Sequence, residues 1–464
     1  MKNILVFGLS FLLCFVGYTQ TYVPDDNFEQ ALIDLGYDNP PLDNFVPTAN
    51  IDGLVTLNIN GAGISDLTGI EDFSFLQTLI APFNNLTNVD ISQNSYLREV
   101  NFNSNSLSSI DVTNNIHLEK LSCSNNNLTS LSVSQNPLLD YLHCSDNLLN
   151  NIDVTNNSFL NTLFIDNNNL SVINVTQNLL LEVLTISNNN ISEINVTKNS
   201  TLRSLTFNSN QVSIIDITQN PLLEALTISH NNISELNVTQ NPLLSIIRCF
   251  SNQLTSLDVS QNNLLIDFNF GNNLIETIDL SNNLLLQYLG TYSNQIIELD
   301  VSQNPELIGV SASLNPIEVL NVKNGNNTNF VFFNAHDCPN LFCIEVDDPV
   351  YSENNWLNVD PQVEFSEDCD PLGVSDFKNI ETKTYPNPVE NYFIIEAKLF
   401  SEINNLQVKV FDMQGKLLRE IKNISTENQL LKTSIDISSF KPGAYFYSVF
   451  NNGKQLFNGK IIKQ

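Results

Sequence analysis

The sequence predicts a mainly β chain: a long stack of short strands, followed by a small antiparallel β-sandwich. Three observations predict it. A 21-residue segment repeats through the middle of the 464-residue chain. Within each repeat, apolar and polar residues alternate over two short stretches, the period-2 signature of strands. The repeat ends near residue 348, and after residue 384 alternating runs separated by Asn-Gly, Gln-Gly and Pro-Gly turns take over.

The repeats open at Leu76, Leu97, Leu118, Leu139, Leu160, Leu181, Leu202, Leu223, Leu244, Leu265, Leu286 and Leu307, always 21 residues apart. Leu54 opens a 22-residue repeat before them, and a degenerate one, TNFVFFNAHDCPNLFCIEV, starts near Thr328. Counting the opening Leu as position 1, apolar residues recur at 1, 4, 6, 11, 14 and 16. Positions 4 and 6 and positions 14 and 16 each alternate with outward residues, so two short strands are expected per coil. No segment of the repeat has the length or periodicity of a helix. A single coil cannot cover its own apolar edge, but stacked coils share a continuous core. Each core side chain contributes about 1.5–3 kcal/mol on burial.

The asparagines are expected to be structural. Position 9 is Asn in all twelve 21-residue repeats: Asn84, Asn105, Asn126, Asn147, Asn168, Asn189, Asn210, Asn231, Asn252, Asn273, Asn294 and Asn315. Position 19 is Asn in eleven of the twelve, with Gly325 the exception. A turn leaves backbone groups unpaired. Asn carries both donor and acceptor, tolerates turn conformations and can satisfy those groups. A feature identical in every coil belongs to the scaffold.

Residues 54–348 resemble the leucine-rich repeat family, in its 21-residue bacterial class of nested half-repeats. The resemblance implies a right-handed solenoid, here of about 14 coils, with a parallel sheet on one face. Residues 21–53 then form an N-terminal cap. In VPDDNFEQALIDLGYDNPPL, Asp25 or Asp26 N-caps a helix with Phe28, Leu32 and Leu35 on one face. The segment LTGIEDF at 67–73 resembles the variant first repeat of bacterial surface proteins of this family. Residues 349–370, with the single Trp356, form a C-terminal cap, and residues 371–384 a linker.

The final segment, 385–464, resembles the type A C-terminal sorting domain of the type IX secretion system. The match is carried by Tyr385, Pro386, Asn387, Pro388 and Val389, the Gln414-Gly415-Lys416 turn, Lys441-Pro442-Gly443 with Tyr445, and Gly459, Lys460 and Lys463. It implies recognition by that machinery and export across the outer membrane of a Bacteroidota-type bacterium. Removal of the domain and attachment to surface lipopolysaccharide often follow in that family. The other end agrees: MKNILVFGLSFLLCFVGYTQ (1–20) has one basic residue before an apolar run, as a signal peptide does. No other segment is apolar enough to cross a bilayer as a helix.

Charge separates the parts. Residues 1–373 hold 7 basic and 41 acidic residues, while residues 374–464 hold 12 basic and 9 acidic. An acidic body repels nucleic acid and anionic membranes. Six cysteines remain after residue 20. Cys123, Cys144 and Cys249 stand at position 6, where other repeats place Ile or Phe, so burial and inertness are expected. Cys123 and Cys144 are neighbours about 4.8 Å apart, but their side chains run parallel, which disfavours a bond. Cys343 and Cys369 flank an irregular segment and are the expected disulfide.

No catalytic or metal motif is present, and no cofactor is expected. His117, His143, His230 and His336 are scattered, without partners at ligand spacing. The DxDxDG loop of a calcium site is absent. Function is therefore sought in what varies on the constant scaffold. The outward positions of the first strand, 3, 5 and 7, are small in the middle coils and depart from that twice. Tyr141, His143 and Phe164 form one group. Ile246, Arg248, Phe250, Asp267, Tyr288 and Tyr292 form a second, with aromatic residues beside an arginine. A row of Thr155, Thr176, Thr197, Thr218 and Thr239 at position 17 suggests an ice-ordering face or simply a solvated one. The expected function is binding of a protein or glycan ligand through the strand-bearing face. The alternatives are a spacer without a discrete site, an ice-binding role, or an enzyme accessory.

Overall fold

The computed structural model describes residues 19–369, 382–399, 405–427, 429–451 and 454–464. The expected signal peptide and linker lie almost wholly outside these residues. The chain divides into two compact units, 1–368 and 369–464.

The first unit is a stack of coils. Its central element is a fifteen-stranded parallel sheet running from Thr56–Asn58 to Asn358–Val359. Each coil gives the sheet one short strand in register with the next. Leu142 pairs with Leu163, Leu163 with Leu184 and Leu184 with Leu205. That central residue is buried in every coil, while its two strand neighbours face outward. Behind the sheet, the residues at positions 1, 4, 6 and 11 merge into one continuous core.

The second strand departs from expectation. Only four coils form one, at Glu298–Asp300, Val319–Asn321, Cys343–Glu345 and Glu364–Ser366. In earlier coils the same segment alternates as predicted, with Ile194 and Val196 buried, but no ladder joins it to its neighbours. The alternation reports which side chains point inward, which is a weaker condition than strand pairing. There the asparagine side chains make the links between coils.

The two asparagine columns work differently. Asn147 is typical of position 9. Its Oδ1 accepts from Leu128 N (2.9 Å) and its Nδ2 donates to the carbonyls of Cys123 (3.0 Å), Cys144 (3.2 Å) and Ser145 (3.1 Å). Asn157 is typical of position 19. Its Nδ2 donates to Val133 O (3.0 Å) and Asn136 O (2.8 Å), while its Oδ1 is buried without a partner. The turn conformation itself belongs to neither column. The left-handed residue is at position 8, with φ of 53–58° from Phe83 to Leu314. Asn125, Asp146, Asn167, Asn188 and Asn272 suit that region; Phe83 and Leu314 occupy it without such help. At Gly325, where the position-19 column breaks, Asn324 donates to Asn304 O at 2.9 Å instead.

Both ends are closed. The helix Asp26–Asp34 is N-capped by Asp25, whose Oδ1 accepts from Asn27 N and Phe28 N. The other oxygen of Asp25 accepts from Ser65 N, Ser65 Oγ and Asp66 N, which ties the cap to the first coil. Phe28 and Leu32 are buried as expected, but Leu35 is exposed, because the helix ends there and the chain turns at Gly36. At the other end, residues 349–366 make a short helix, Pro349–Asn355, and then a closing coil that adds a strand to each sheet. Trp356 is buried against Phe333, with ring centroids 4.2 Å apart. Cys343 and Cys369 are disulfide-bonded.

The second unit has a three-stranded sheet, Thr382–Tyr385, Tyr392–Lys398 and Leu430–Asp436, and a four-stranded one. The latter comprises Leu406–Phe411, Leu417–Ile424, Gly443–Asn451 and Lys454–Lys463. Their inward residues, among them Phe393, Ile395, Val408, Tyr447 and Ile461, share one core.

Candidate recognition face

The outward face of the long sheet is a grid. Strand neighbours in register set its rows, and positions 3, 5 and 7 set its columns. In the middle coils the grid holds Ser204, Thr206, Ala225 and Thr227, and nothing projects.

One departure lies before these coils. Tyr141 and His143 sit on one strand, and Phe164 stands on the next, opposite His143. Phe164 meets both rings edge-on, at centroid distances of 5.8 Å and 5.4 Å. Burial lowers the His143 pKa below its ordinary 6.5, against the opposing pull of Asp166 and Asp146. Asp166 is anchored by Ser187 N at 2.6 Å and by the Thr185 hydroxyl at 2.5 Å. These three sequence-predicted residues are brought together.

The second departure covers the coils after the middle. Ile246, Asp267 and Tyr288 are register neighbours in column 3. Arg248 reaches along the sheet to Asp267, with Nη2 and Nε at 2.5 and 3.1 Å from Oδ2. The two side chains are 48 % and 20 % exposed, so the pair adds at most about 1 kcal/mol to stability. Phe250 packs edge-on against His230 of the preceding coil, 5.0 Å away. Tyr292 lies over Gly271: a Cβ at 271 would stand 2.4 Å from its Cε1 and Cζ and 2.6 Å from its Cδ1. A point that close to three consecutive ring atoms lies under the ring face, so Tyr292 rests flat on the sheet.

A residue outside the predicted set completes the group. Phe332 occupies column 3 two coils beyond Tyr288, with Gly309 between them in register. A Cβ at 309 would stand 2.3 Å from its Cε1. The rings of Tyr288 and Phe332 are nearly parallel, 12° apart with centroids 6.3 Å apart. They are 37 % and 44 % exposed. Gly290 completes the pattern, since the Asn269 amide fills the place of its missing Cβ. Between residues 70 and 324 the chain has three glycines, 271, 290 and 309. All three are outward positions of consecutive coils, and each seats a neighbour's side chain. That clustering of glycine was the sequence signal for this shelf. The two groups remain separate, with three coils of small residues between them.

The Thr155 to Thr239 row is engaged within each coil. Every hydroxyl donates to the Asp or Asn two residues before it, as Thr197 does to Asn195 at 2.7 Å. Among the described residues no group of three or more His, Cys, Asp or Glu is placed to hold a metal ion. Cys123, Cys144, Cys249 and Cys338 are buried and free. Burial pushes the Cys123 and Cys249 thiols up to about 12.

In the second unit the residues of the sequence motif converge. Asn387 donates from Nδ2 to Lys460 O (3.0 Å) and accepts at Oδ1 from Ile462 N (2.9 Å). Lys463 Nζ donates to the carbonyl of Glu390. Val389 N donates to Ile462 O at 2.8 Å. The Tyr445 hydroxyl donates to Lys441 O at 2.8 Å, and the Tyr385 hydroxyl to Glu396 at 2.7 Å. Gly459 lies beneath the Tyr447 ring. Segments more than 70 residues apart are thus held as one strand edge.

Residues 383–464 match the family model described as a secretion system C-terminal sorting domain. The chain also has solved counterparts. The functional domain of InlJ from Listeria monocytogenes, which includes a cysteine ladder, aligns with a TM-score of 0.66 at 25 % identity, over 96 % of this chain and 99 % of that one. The chain is a leucine-rich repeat protein with a secretion sorting tail. The internalin InlF of the same organism aligns at 0.58 and 20 % identity, over 70 % of this chain and 96 % of that one. The Leptospira interrogans leucine-rich repeat protein LIC12759 aligns at 0.51 and 21 % identity, over 69 % and 97 %. No curated protein sequence matches the chain. The tail of this leucine-rich repeat protein indicates type IX secretion to the cell surface or the extracellular space. No helix among its described residues is long and apolar enough to cross a membrane.

Proposed function

We propose that the protein is a surface-displayed recognition protein that binds an extracellular protein or polysaccharide through the strand-bearing face of its solenoid. The supporting observation is a local break in a uniform face. Coils of small residues give way to Ile246, Arg248, Phe250, Asp267, Tyr288, Tyr292 and Phe332, several of them in fixed contacts. A rigid surface of this kind loses little entropy on binding. The group Tyr141, His143 and Phe164 is a second, smaller contact area on the same face. The tail directs export by the type IX machinery to the cell surface or the extracellular space.

The test is binding of purified residues 21–464 to arrays of extracellular proteins and polysaccharides. It is run beside an Arg248→Ala, Tyr288→Ala double variant with an unchanged melting curve. A ligand bound by the parent and lost by the variant supports the reading. A ligand bound equally by both removes this patch as the site.

A further inference from the structure

The second patch carries more than exposed aromatic area, and the following rests on the recognition reading above. Tyr292 lies face-down on Gly271, and Phe332 lies over Gly309 nearly parallel to Tyr288. A ring seated on a glycine turns its other face outward and cannot rotate into a pocket. The shelf is therefore flat, and its rings are ordered before any ligand arrives. Around it stand uncharged hydrogen-bonding groups: the amides of Asn269 and Asn334 and the hydroxyl of Ser311. Within the patch, the charges of Arg248 and Asp267 are paired with one another.

We propose that this shelf binds a neutral polysaccharide. Pyranose rings present flat arrays of C–H bonds on one face and hydroxyls around the rim. The C–H face suits the electron-rich faces of Tyr288, Phe332 and Tyr292. The rim hydroxyls suit amides, which both donate and accept. A protein hot spot is instead a projecting anchor that fills a pocket, and the glycines here keep the rings from projecting. Charge selects among polysaccharides: the first 373 residues carry 41 acidic against 7 basic side chains, so a polyanion is repelled.

The experiment is affinity electrophoresis of residues 21–464 through native gels containing laminarin, hydroxyethylcellulose, galactomannan or xylan, with alginate as the anionic comparison. Retardation is expected in at least one neutral gel and absent in alginate. Tyr288→Ala and Phe332→Ala are each expected to weaken it roughly tenfold, the worth of one stacked ring and its area. Gly309→Ala is expected to weaken it as well, because the added methyl lifts Phe332 while leaving the outer groups in place. Absence of retardation in all four neutral gels overturns the inference. So does retardation that Tyr288→Ala and Phe332→Ala both keep. If a protein from the array binds through Tyr288 while every neutral gel is silent, the glycan assignment falls and the recognition reading stands. If neither assay finds a ligand that depends on the patch, both fall.

Discussion

The side-chain oxygen of Asn189 accepts the amide proton of Leu170 at 3.0 Å, nineteen residues back in the chain. Its Nδ2 also reaches Ile165 O, in that same preceding coil, at 3.0 Å. Removing this side chain strands the buried Leu170 N–H and leaves Ile165 O with the longer 3.4 Å bond from Asn168. Asn189→Ala is expected to cost about 1–3 kcal/mol, the cost of one buried group left unpaired. Asn199, whose Oδ1 has no partner and whose Nδ2 serves Val175 O and Asn178 O, makes the smaller network. Urea titration should therefore rank Asn189→Ala below Asn199→Ala in midpoint; the reverse order would contradict the division of labour between the columns.

The buried thiols give a reaction-rate prediction. Thiolate is the reactive form, and burial pushes Cys123 and Cys249 up to about 12 and raises Cys144 and Cys338. Folded residues 21–464 should be nearly silent to a thiol reagent at pH 8. The unfolded, unreduced chain should release four equivalents, one for each free cysteine. Rapid labelling of the folded protein would show that the core opens.

The folded pKa of His143 lies below the ordinary 6.5, chiefly because burial disfavours the imidazolium. The unfolded chain therefore takes the proton first as pH falls. The stability associated with neutral His143 is present in full above pH 6.5 and declines as pH drops from there towards the folded pKa. Phe164→Ala opens one side of the ring and should move its NMR titration midpoint upward. An unchanged midpoint would show that Phe164 does not dry the site.

Arg248→Ala should leave the melting temperature almost unmoved, since an exposed ion pair is worth at most about 1 kcal/mol. If this substitution abolishes ligand binding, the loss then lies in contact with the ligand. A large drop in stability would reassign Arg248 to the scaffold.

In the tail, Asn387 holds both Lys460 O and Ile462 N. Asn387→Ala should lower the melting temperature of the tail and reduce the exported fraction, while Asn387→Asp keeps only the acceptor and falls between. Pulse-chase of culture supernatant against cells measures this. Export at the parental rate in both variants would separate the motif from sorting.

Much of this was legible in the sequence, because periodicity is a statement about which side chains share an environment. The columns of Leu, Asn and Thr mapped directly onto inward and turn positions. Three things were hidden. Alternation at positions 14 and 16 marked inward side chains, but pairing also requires coils close enough for a ladder, and only the last four meet it. Phe332 was hidden because its coil is longer: it pairs with Gly309, 23 residues earlier, so a 21-residue count places it in the wrong column. The left-handed turn was assigned to the asparagines, whereas it falls one residue before each position-9 Asn. A side chain's hydrogen-bonding capacity can be read from its identity; which of two adjacent residues bears the unusual backbone cannot.

The asparagine columns also bear on how such a chain changes over generations. Each position-9 Asn bonds the coil before it and its own coil, and the next Asn does the same one coil on, so no coil is marked as first, middle or last. Gain or loss of one 21-residue unit within the middle coils leaves every remaining bond with an equivalent partner. Asp25 with Ser65, and Trp356 with Phe333, close the two ends of the stack. Reach is therefore adjustable by unequal recombination, one coil at a time, while the glycine-seated rings travel intact.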